Sequence, residues 1–586
     1  MKLIRLLKYL KSMKGSTAAA MFFVVISQAG SLILPVLMSM IVNNGIANED
    51  IDYITKVGII MMAVSAFAVI VATFNSYFSS KTAANYGKLL RRDLFLKVES
   101  LSQRDIERVG TPSLITRCTN DVKVLQDFVL QCLRIIISAP IMLVGGIIMA
   151  FVMNPTLSLI IFAVMPVIAV IVLIVLKTVM PLFKRRQKLL DSINRFIREK
   201  LTGTRVIRAF NRGDIEDAKF DKQNIEFSSL TLKFQRLMSV LIPVCIVLVI
   251  FALDLLIVFA AKDIDSLDPI AERLALENSI GNLQAFVVYM VMIVYSFTMA
   301  AAMFVIVPRA RISAKRINEV LDLEATVTDP ASPVLPDESK RGTVEFRNVS
   351  FGYEDSGKPT LKNVSFTAER NKVTAIIGGT GCGKSTIVNL ITRFYDVTEG
   401  QVLFEGVDVR DMLQSELHKR IGYIPQKAVL FSGSIEDNLR YGDENASEER
   451  MRLALEISQS SEFVDKLPEG IKSFVSQNGT NLSGGQKQRL SIARALTREA
   501  DIYIFDDSFS ALDFTTDLNL RKALKQNLSD STIIIVGQRV ASIMDADQII
   551  VMDDGRIVGK GTHKQLMESC EEYQQIAYSQ LSKEEV

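Results

Sequence analysis

The string Gly378-Gly379-Thr380-Gly381-Cys382-Gly383-Lys384-Ser385 fits G-x-x-x-x-G-K-[ST], a spacing that wraps backbone around phosphate. Glycines let the chain approach an anion closely, and the N–H groups at a helix start point at it. In that chemistry Lys384 pairs the β- and γ-phosphates of ATP and the Ser385 hydroxyl holds Mg²⁺, with Thr386 opening the helix behind them. The flanks suit the motif. Val373–Ile377 reads as a buried strand, and Thr386–Leu390 reads as the start of a helix.

Two more strand ends carry polar groups. Ile502–Phe505 leads into Asp506-Asp507, and Ile533–Val536 leads into Gly537-Gln538. Ligands of open α/β sheets sit at the carboxyl ends of strands, so these residues are candidates for the same site as the glycine loop. Asp506 stands where an aspartate would support Mg²⁺.

The elements that position this chemistry occupy only the last part of the chain. Its 586 residues exceed one core, and the long apolar runs all lie before about Val307. Six stretches are long and apolar enough to span a bilayer: Thr17–Val42, Ile54–Phe78, Ile135–Met153, Thr156–Met180, Leu237–Ala261 and Leu283–Val307. The N-terminal basic stretch (Lys2, Arg5, Lys8, Lys11, Lys14) precedes a run longer than a signal-peptide core, so it reads as a retained cytoplasmic end. Gly45–Asp52 and Asn154-Pro155 carry no Lys or Arg, whereas the alternate connections are basic at Arg91, Arg92, Lys184, Arg185, Arg186, Arg309 and Arg311. Both termini are therefore expected in the cytoplasm, of a cell (plasma or inner) membrane.

The connections Ser79–Arg134 and Pro181–Arg236 keep helical periodicity, so the membrane helices are expected to continue as cytoplasmic rods. Their turns, at Gly110–Leu114 and Arg208–Arg212, are either contact points or ordinary hairpin turns. Asp254, inside the fifth span, either meets a cationic substrate or proton or reaches the outer interface. The methionines and aromatics of the sixth span (Met290, Met292, Met299, Met303, Phe286, Tyr289, Tyr295, Phe297, Phe304) either suit varied hydrophobic ligands or pack. A Pro-rich linker follows. The expected division is 1–322 membrane domain, 323–342 linker and 343–586 soluble α/β domain. Five scattered cysteines make no metal or disulfide pattern, Cys245 reading as a packing residue, and a net charge of +3 gives no basis for a nucleic-acid partner.

Leu482-Ser483-Gly484-Gly485-Gln486 resembles the signature of the ATP-binding cassette (ABC) family. With the glycine loop before it and Asp506 after it, the chain resembles an ABC exporter half-transporter along essentially its whole length. The fold this implies is a six-span helical transmembrane domain with long cytoplasmic extensions, fused to an α/β P-loop NTPase cassette. The resemblance places Tyr353 against adenine, Gln426 near Mg²⁺, and Ser510–Asp513 as the D-loop. It also implies head-to-tail pairing of two cassettes, each ATP lying between one chain's glycine loop and the other's Ser483, Gly484, Gly485 and Gln486, and makes the two cytoplasmic turns coupling helices.

Two positions depart from the family pattern. The glutamate expected after Asp506 is Asp507, one methylene shorter, and a general base must reach its proton within about 3 Å. The expected switch histidine is Gln538, which hydrogen-bonds but cannot carry a charge or shuttle a proton. Val475–Gly479 also lacks the Glu-Arg that commonly precedes the signature. These departures imply a heterodimer with unequal sites: this chain binds ATP and Mg²⁺ but hydrolyses slowly, and lends its signature to a partner half-transporter chain. The cargo expected is a hydrophobic small molecule, moved across a lipid bilayer. The alternatives are a homodimeric lipid or peptide exporter, or an ATP-gated, channel-like subunit.

Overall fold

The computed structural model describes residues 2–153, 155–265, 269–353 and 357–581, with many side chains between 156 and 180 and between 238 and 279 outside that description. It divides into two compact units, one of 1–99 with 112–322 and one of 100–111 with 323–586.

The first unit is helical. Its long helices are Lys14–Met40, Ile51–Glu99, Ser138–Met153, Pro155–Thr202, Gly213–Asp265 and Pro269–Leu321. Among the described residues four helical stretches are long and apolar enough to cross a membrane: Leu3–Ile46, Ile51–Glu99, Thr111–Met153 and Ile280–Phe297. The expected spans Thr156–Met180 and Leu237–Ala261 lie largely outside the described side chains, as does Cys245. At 1.5 Å per residue the helix Ile51–Glu99 is roughly 73 Å long, more than twice the ~30 Å of a hydrocarbon core. It must therefore run far past the lipid. Its far half buries Ala83, Tyr86, Leu90 and Leu94, spaced by three or four residues, and it packs against Val122–Gln131, which buries Val122, Leu125 and Val129.

The sixth expected span keeps several of its large side chains inside the unit. Phe286, Tyr289, Met290 and Ile293 are buried against Leu32 and Ala150, and the Tyr289 hydroxyl donates to Leu32 O at 2.6 Å. Those positions pack, whereas Tyr295 is exposed and Phe304 lies outside the described side chains. Nearby, Ser39 donates to Asn282 Oδ1 (2.7 Å) and Asn43 reaches the same oxygen (3.1 Å), tying the first helix to the last. Asp254 lies on Gly213–Asp265, exposed on the isolated chain.

The second unit is α/β. Its strands are β1 (Val344–Phe351), β2 (Leu361–Ala368), β3 (Val373–Gly378), β4 (Glu399–Phe404), β5 (Val407–Asp408), β6 (Ile421–Ile424), β7 (Gly433–Ser434), β8 (Phe474–Val475), β9 (Ile502–Asp506), β10 (Thr532–Val536), β11 (Gln548–Asp553) and β12 (Arg556–Gly561). An antiparallel sheet β2-β1-β4-β5 accompanies a larger one, β12-β11-β3-β10-β9-β6, which is parallel except at its β12 edge. Parallel strands covered on both faces read as continuous apolar runs, and β9 and β10 are buried throughout.

Ser100–Thr111, expected within the 1–322 membrane domain, groups with this second unit. It carries the helix Gln103–Val109, whose N-cap Ser102 and Asp105 form a capping box. The buried Asp105 carboxylate also accepts the Thr326 backbone N–H at 3.0 Å. Gly110 ends this helix at φ 84°, and the second turn, Arg208–Arg212, ends the helix Thr204–Ala209 with Asn211 at φ 48°.

Candidate functional site

Parallel register brings three strand ends level. Val536 of β10 pairs with Ile376 of β3 on one side and with Asp506 of β9 on the other. The residues that follow each end therefore emerge side by side. The seam is closed by Asp507 N–H donating to Val536 O (2.8 Å) and Gly537 N–H to Ile376 O (3.1 Å).

The glycine loop follows β3. A side chain at Gly378 would put Cβ 2.1 Å from Met552 O, so only glycine fits there. Gly383 caps the helix Lys384–Ile391 at φ 102°, a left-handed conformation that side chains resist. Gly379, Thr380, Gly381 and Ser385 are exposed along the rim, while Cys382 is packed beneath it. Lys384 turns inward and donates to Gly378 O (2.8 Å) and Gly379 O (2.7 Å), so its ammonium spans the loop.

Ser385 donates its hydroxyl to Asp506 Oδ1 at 3.0 Å. Asp506 is 4% exposed. Burial pushes its carboxyl above the usual range, and the Ser385 bond opposes that only in part. Among the described residues no group of three or more His, Cys, Asp or Glu converges as an all-protein metal site. A hydroxyl and one carboxylate fit a hard cation that takes its other ligands from phosphate and water, which suits Mg²⁺.

Asp507 adopts φ 47°, which aspartate tolerates better than most residues. Its Oδ2 accepts from Gln426 Nε2 (3.2 Å) and from Gln538 Nε2 (3.1 Å). Asp507 and Gln538 thus engage one another, with Gln426 as third partner. Ser510 donates to Asp507 O (2.9 Å), and Arg539 donates to Ser510 O (3.1 Å), extending the frame to the segment after Asp507.

At the opposite rim the Tyr353 hydroxyl lies 3.3 Å from Thr386 Oγ1. Its ring stands edge-on to Phe351 (4.9 Å) and Tyr395 (5.3 Å). Tyr395, a residue the sequence did not single out, donates to Glu107 Oε2 at 2.6 Å, and a cavity of about 350 Å³ lies among Arg104, Glu107, Tyr353 and Tyr395. No local signal marks that pair, because the partners are 288 residues apart.

Ser483 caps the helix Gly484–Thr497 through a capping box with Gln486. Ser483 and Gly484 are exposed, and nothing lies within 4 Å of a Cβ built on Gly484. That helix end is exposed, the kind of terminus whose free N–H groups favour an anion. Among the described residues no hydrogen bond joins Ser483–Gln486 to the glycine loop, Asp506 or Asp507, whereas Gln426, Asp507 and Gln538 form one network and Ser385 and Asp506 another.

Comparison with known proteins follows the same two-part division. A family profile described as the ABC transporter transmembrane region matches residues 17–297, and one described as ABC transporter matches residues 361–510. An uncharacterized ABC transporter ATP-binding protein of Mycobacterium tuberculosis is 38% identical over 583 residues, covering 99% of this chain and 98% of the relative. An ATP-dependent lipid A-core flippase of Vibrio parahaemolyticus is 28% identical over 573 residues, covering 98% and 96%. The solved structure of a bacterial Atm1-family ABC exporter with ATP bound superposes with a TM-score of 0.78 at 23% identity, covering 97% of this chain and 99% of that one.

Proposed function

The chain belongs to the ABC transporter family, and on that premise we propose that it is one half of an ATP-driven exporter of hydrophobic or amphipathic compounds, paired with a second half-transporter in a heterodimer of unequal sites. It is an integral membrane protein with an ATP-binding cassette. In this reading Gly378–Thr386 cradles the phosphates, Lys384 turns from its loop carbonyls to the β/γ-phosphates, Tyr353 stacks on adenine, and Ser385, Gln426 and Asp506 hold Mg²⁺. The open signature at Ser483–Gln486 completes the partner's site. Both termini face the cytoplasm of a cell membrane. The lipid A-core flippase relative supports a lipophilic cargo.

The observation that carries the unequal-site reading is the state of Asp507. A water-activating carboxylate must present a lone pair to the attacking water beyond the γ-phosphate. Here the residue is short by a methylene, and one of its oxygens is already shared by two amide donors. Neither amide can accept the proton a histidine would handle. The arrangement binds nucleotide well and turns it over slowly.

The test is steady-state ATPase activity of the purified chain beside Asp507→Glu/Gln538→His, with native mass recorded to establish that both are dimers. Negligible turnover restored by the double change is the expected result. Robust turnover by the unaltered homodimer would make it an ordinary symmetric exporter.

A further inference from the structure

The loop that carries Gln538 is held from outside the nucleotide site by the last helical turn of the described chain. Gln580, at the end of the helix Glu571–Gln580, accepts the Val540 backbone N–H on Oε1 (2.8 Å) and donates Nε2 to Gln538 O (2.8 Å). Val540 is fully buried, so its N–H needs a partner within the protein. A primary amide suits this pair because it donates and accepts at once, which an ionised carboxylate or an ammonium cannot do.

The helix is placed for this by its own packing. Tyr573 and Ala577 are fully buried, and Gln580 follows at i+7 and i+3, on the same face. The Tyr573 hydroxyl is fixed in turn by His563 Nδ1 at 2.7 Å. On its inner side the loop is bound by the Gln538–Asp507 contact and by Arg539 on Ser510. Gln538 therefore sits in a frame whose inner posts are nucleotide-site residues and whose outer post is Gln580.

We infer that Gln580 is a positioning residue: the C-terminal helix, through this one amide, sets where the Gln538 loop stands beneath the γ-phosphate and so couples that helix to nucleotide occupancy. The inference rests on the proposed nucleotide site, though not on its unequal hydrolysis.

Hydrogen exchange of the peptide spanning residues 537–543 tests it, read on the full-length chain and on Gln580→Ala and Gln580→Glu, with and without Mg–ATP. Equilibrium dialysis gives nucleotide affinity on the same samples. In the parent chain Mg–ATP slows exchange of this segment. In Gln580→Ala, exchange without nucleotide rises about tenfold and the slowing by Mg–ATP is lost, while affinity stays within about threefold. Gln580→Glu keeps an acceptor for Val540 but faces the Gln538 carbonyl with a carboxylate, and also loses the slowing. Unchanged exchange in both variants overturns the inference. So does faster exchange with full protection by Mg–ATP, since Gln580 is then only a structural staple. Failure of the heterodimer reading shows separately, in the turnover of the Asp507→Glu/Gln538→His chain.

Discussion

Gln538 donates its side-chain amide to Asp507 Oδ2 at 3.1 Å, the same oxygen that Gln426 reaches at 3.2 Å. Two positions that look like independent departures along the sequence are thus one hydrogen-bonded unit in the fold. Residues that act as a unit do not contribute additively.

Reversion should therefore be cooperative. Asp507→Glu alone supplies reach but places a longer side chain at φ 47° and leaves no proton-handling partner, and Gln538→His alone leaves the carboxylate short. Each single change should raise kcat by less than about tenfold, and the pair by about 100-fold or more, within the range of a positioned general base. A double-mutant cycle on kcat checks this; additive single effects would contradict it.

Lys384 holds its own loop, and the proposed site gives it the phosphates as well. It satisfies two loop carbonyls, so Lys384→Ala should cost the chain about 1–2 kcal/mol when measured in the absence of nucleotide. It should also abolish the rise in melting temperature that Mg–ATP gives the wild type. Thermal melts with and without Mg–ATP read both effects, and a retained nucleotide shift would exclude Lys384 from phosphate binding.

Asp506 trades stability for its site. Burial raises its folded pKa above the ordinary 3.8, so the folded state binds this proton more tightly than the unfolded chain does. That contribution to stability is fully present below pH 3.8 and is lost as pH rises through the folded value, leaving a buried charge at neutral pH. Asp506→Asn, which keeps an acceptor for Ser385, should make the nucleotide-free chain more stable at pH 7. The difference should vanish towards pH 3.8, and Mg²⁺-dependent nucleotide binding should be lost. Unfolding free energies across that pH range, with nucleotide titrations with and without Mg²⁺, are the measurements.

Asp105 shows the opposite sign. Burial would raise its pKa, but hydrogen bonds from Ser102 and Thr326 outweigh it and hold the carboxyl below 3.8. Its stabilisation is present above pH 3.8 and is lost as pH falls through the lower folded value. Asp105→Ala should cost about 2 kcal/mol at pH 7 and speed exchange in the peptide 100–111. The difference from wild type should stay flat from pH 7 down to about 4 and shrink only below that. A difference that faded by pH 5 would contradict the assignment.

The sequence by itself determined the family, the α/β cassette, the long apolar helices and the strand–loop–helix around Gly378–Thr386. The family shows in the resemblance of its motif strings; the elements follow from local rules: glycine where φ is positive or space is lacking, buried runs for parallel strands, and periodicity for helices. Each of these elements is written in one continuous stretch of chain. The tertiary structure alone decided which oxygen of Asp507 two glutamines share, across 81 and 31 residues, and that Gln580 braces the Gln538 loop 42 residues before it. It also placed Glu107 on Tyr395, grouped Ser100–Thr111 with the cassette, and buried Tyr289 where a cargo surface was one expectation. A side chain's partner across such separations is set by strand register and helix packing, which bring together groups whose own neighbours in the chain carry no mark of the meeting.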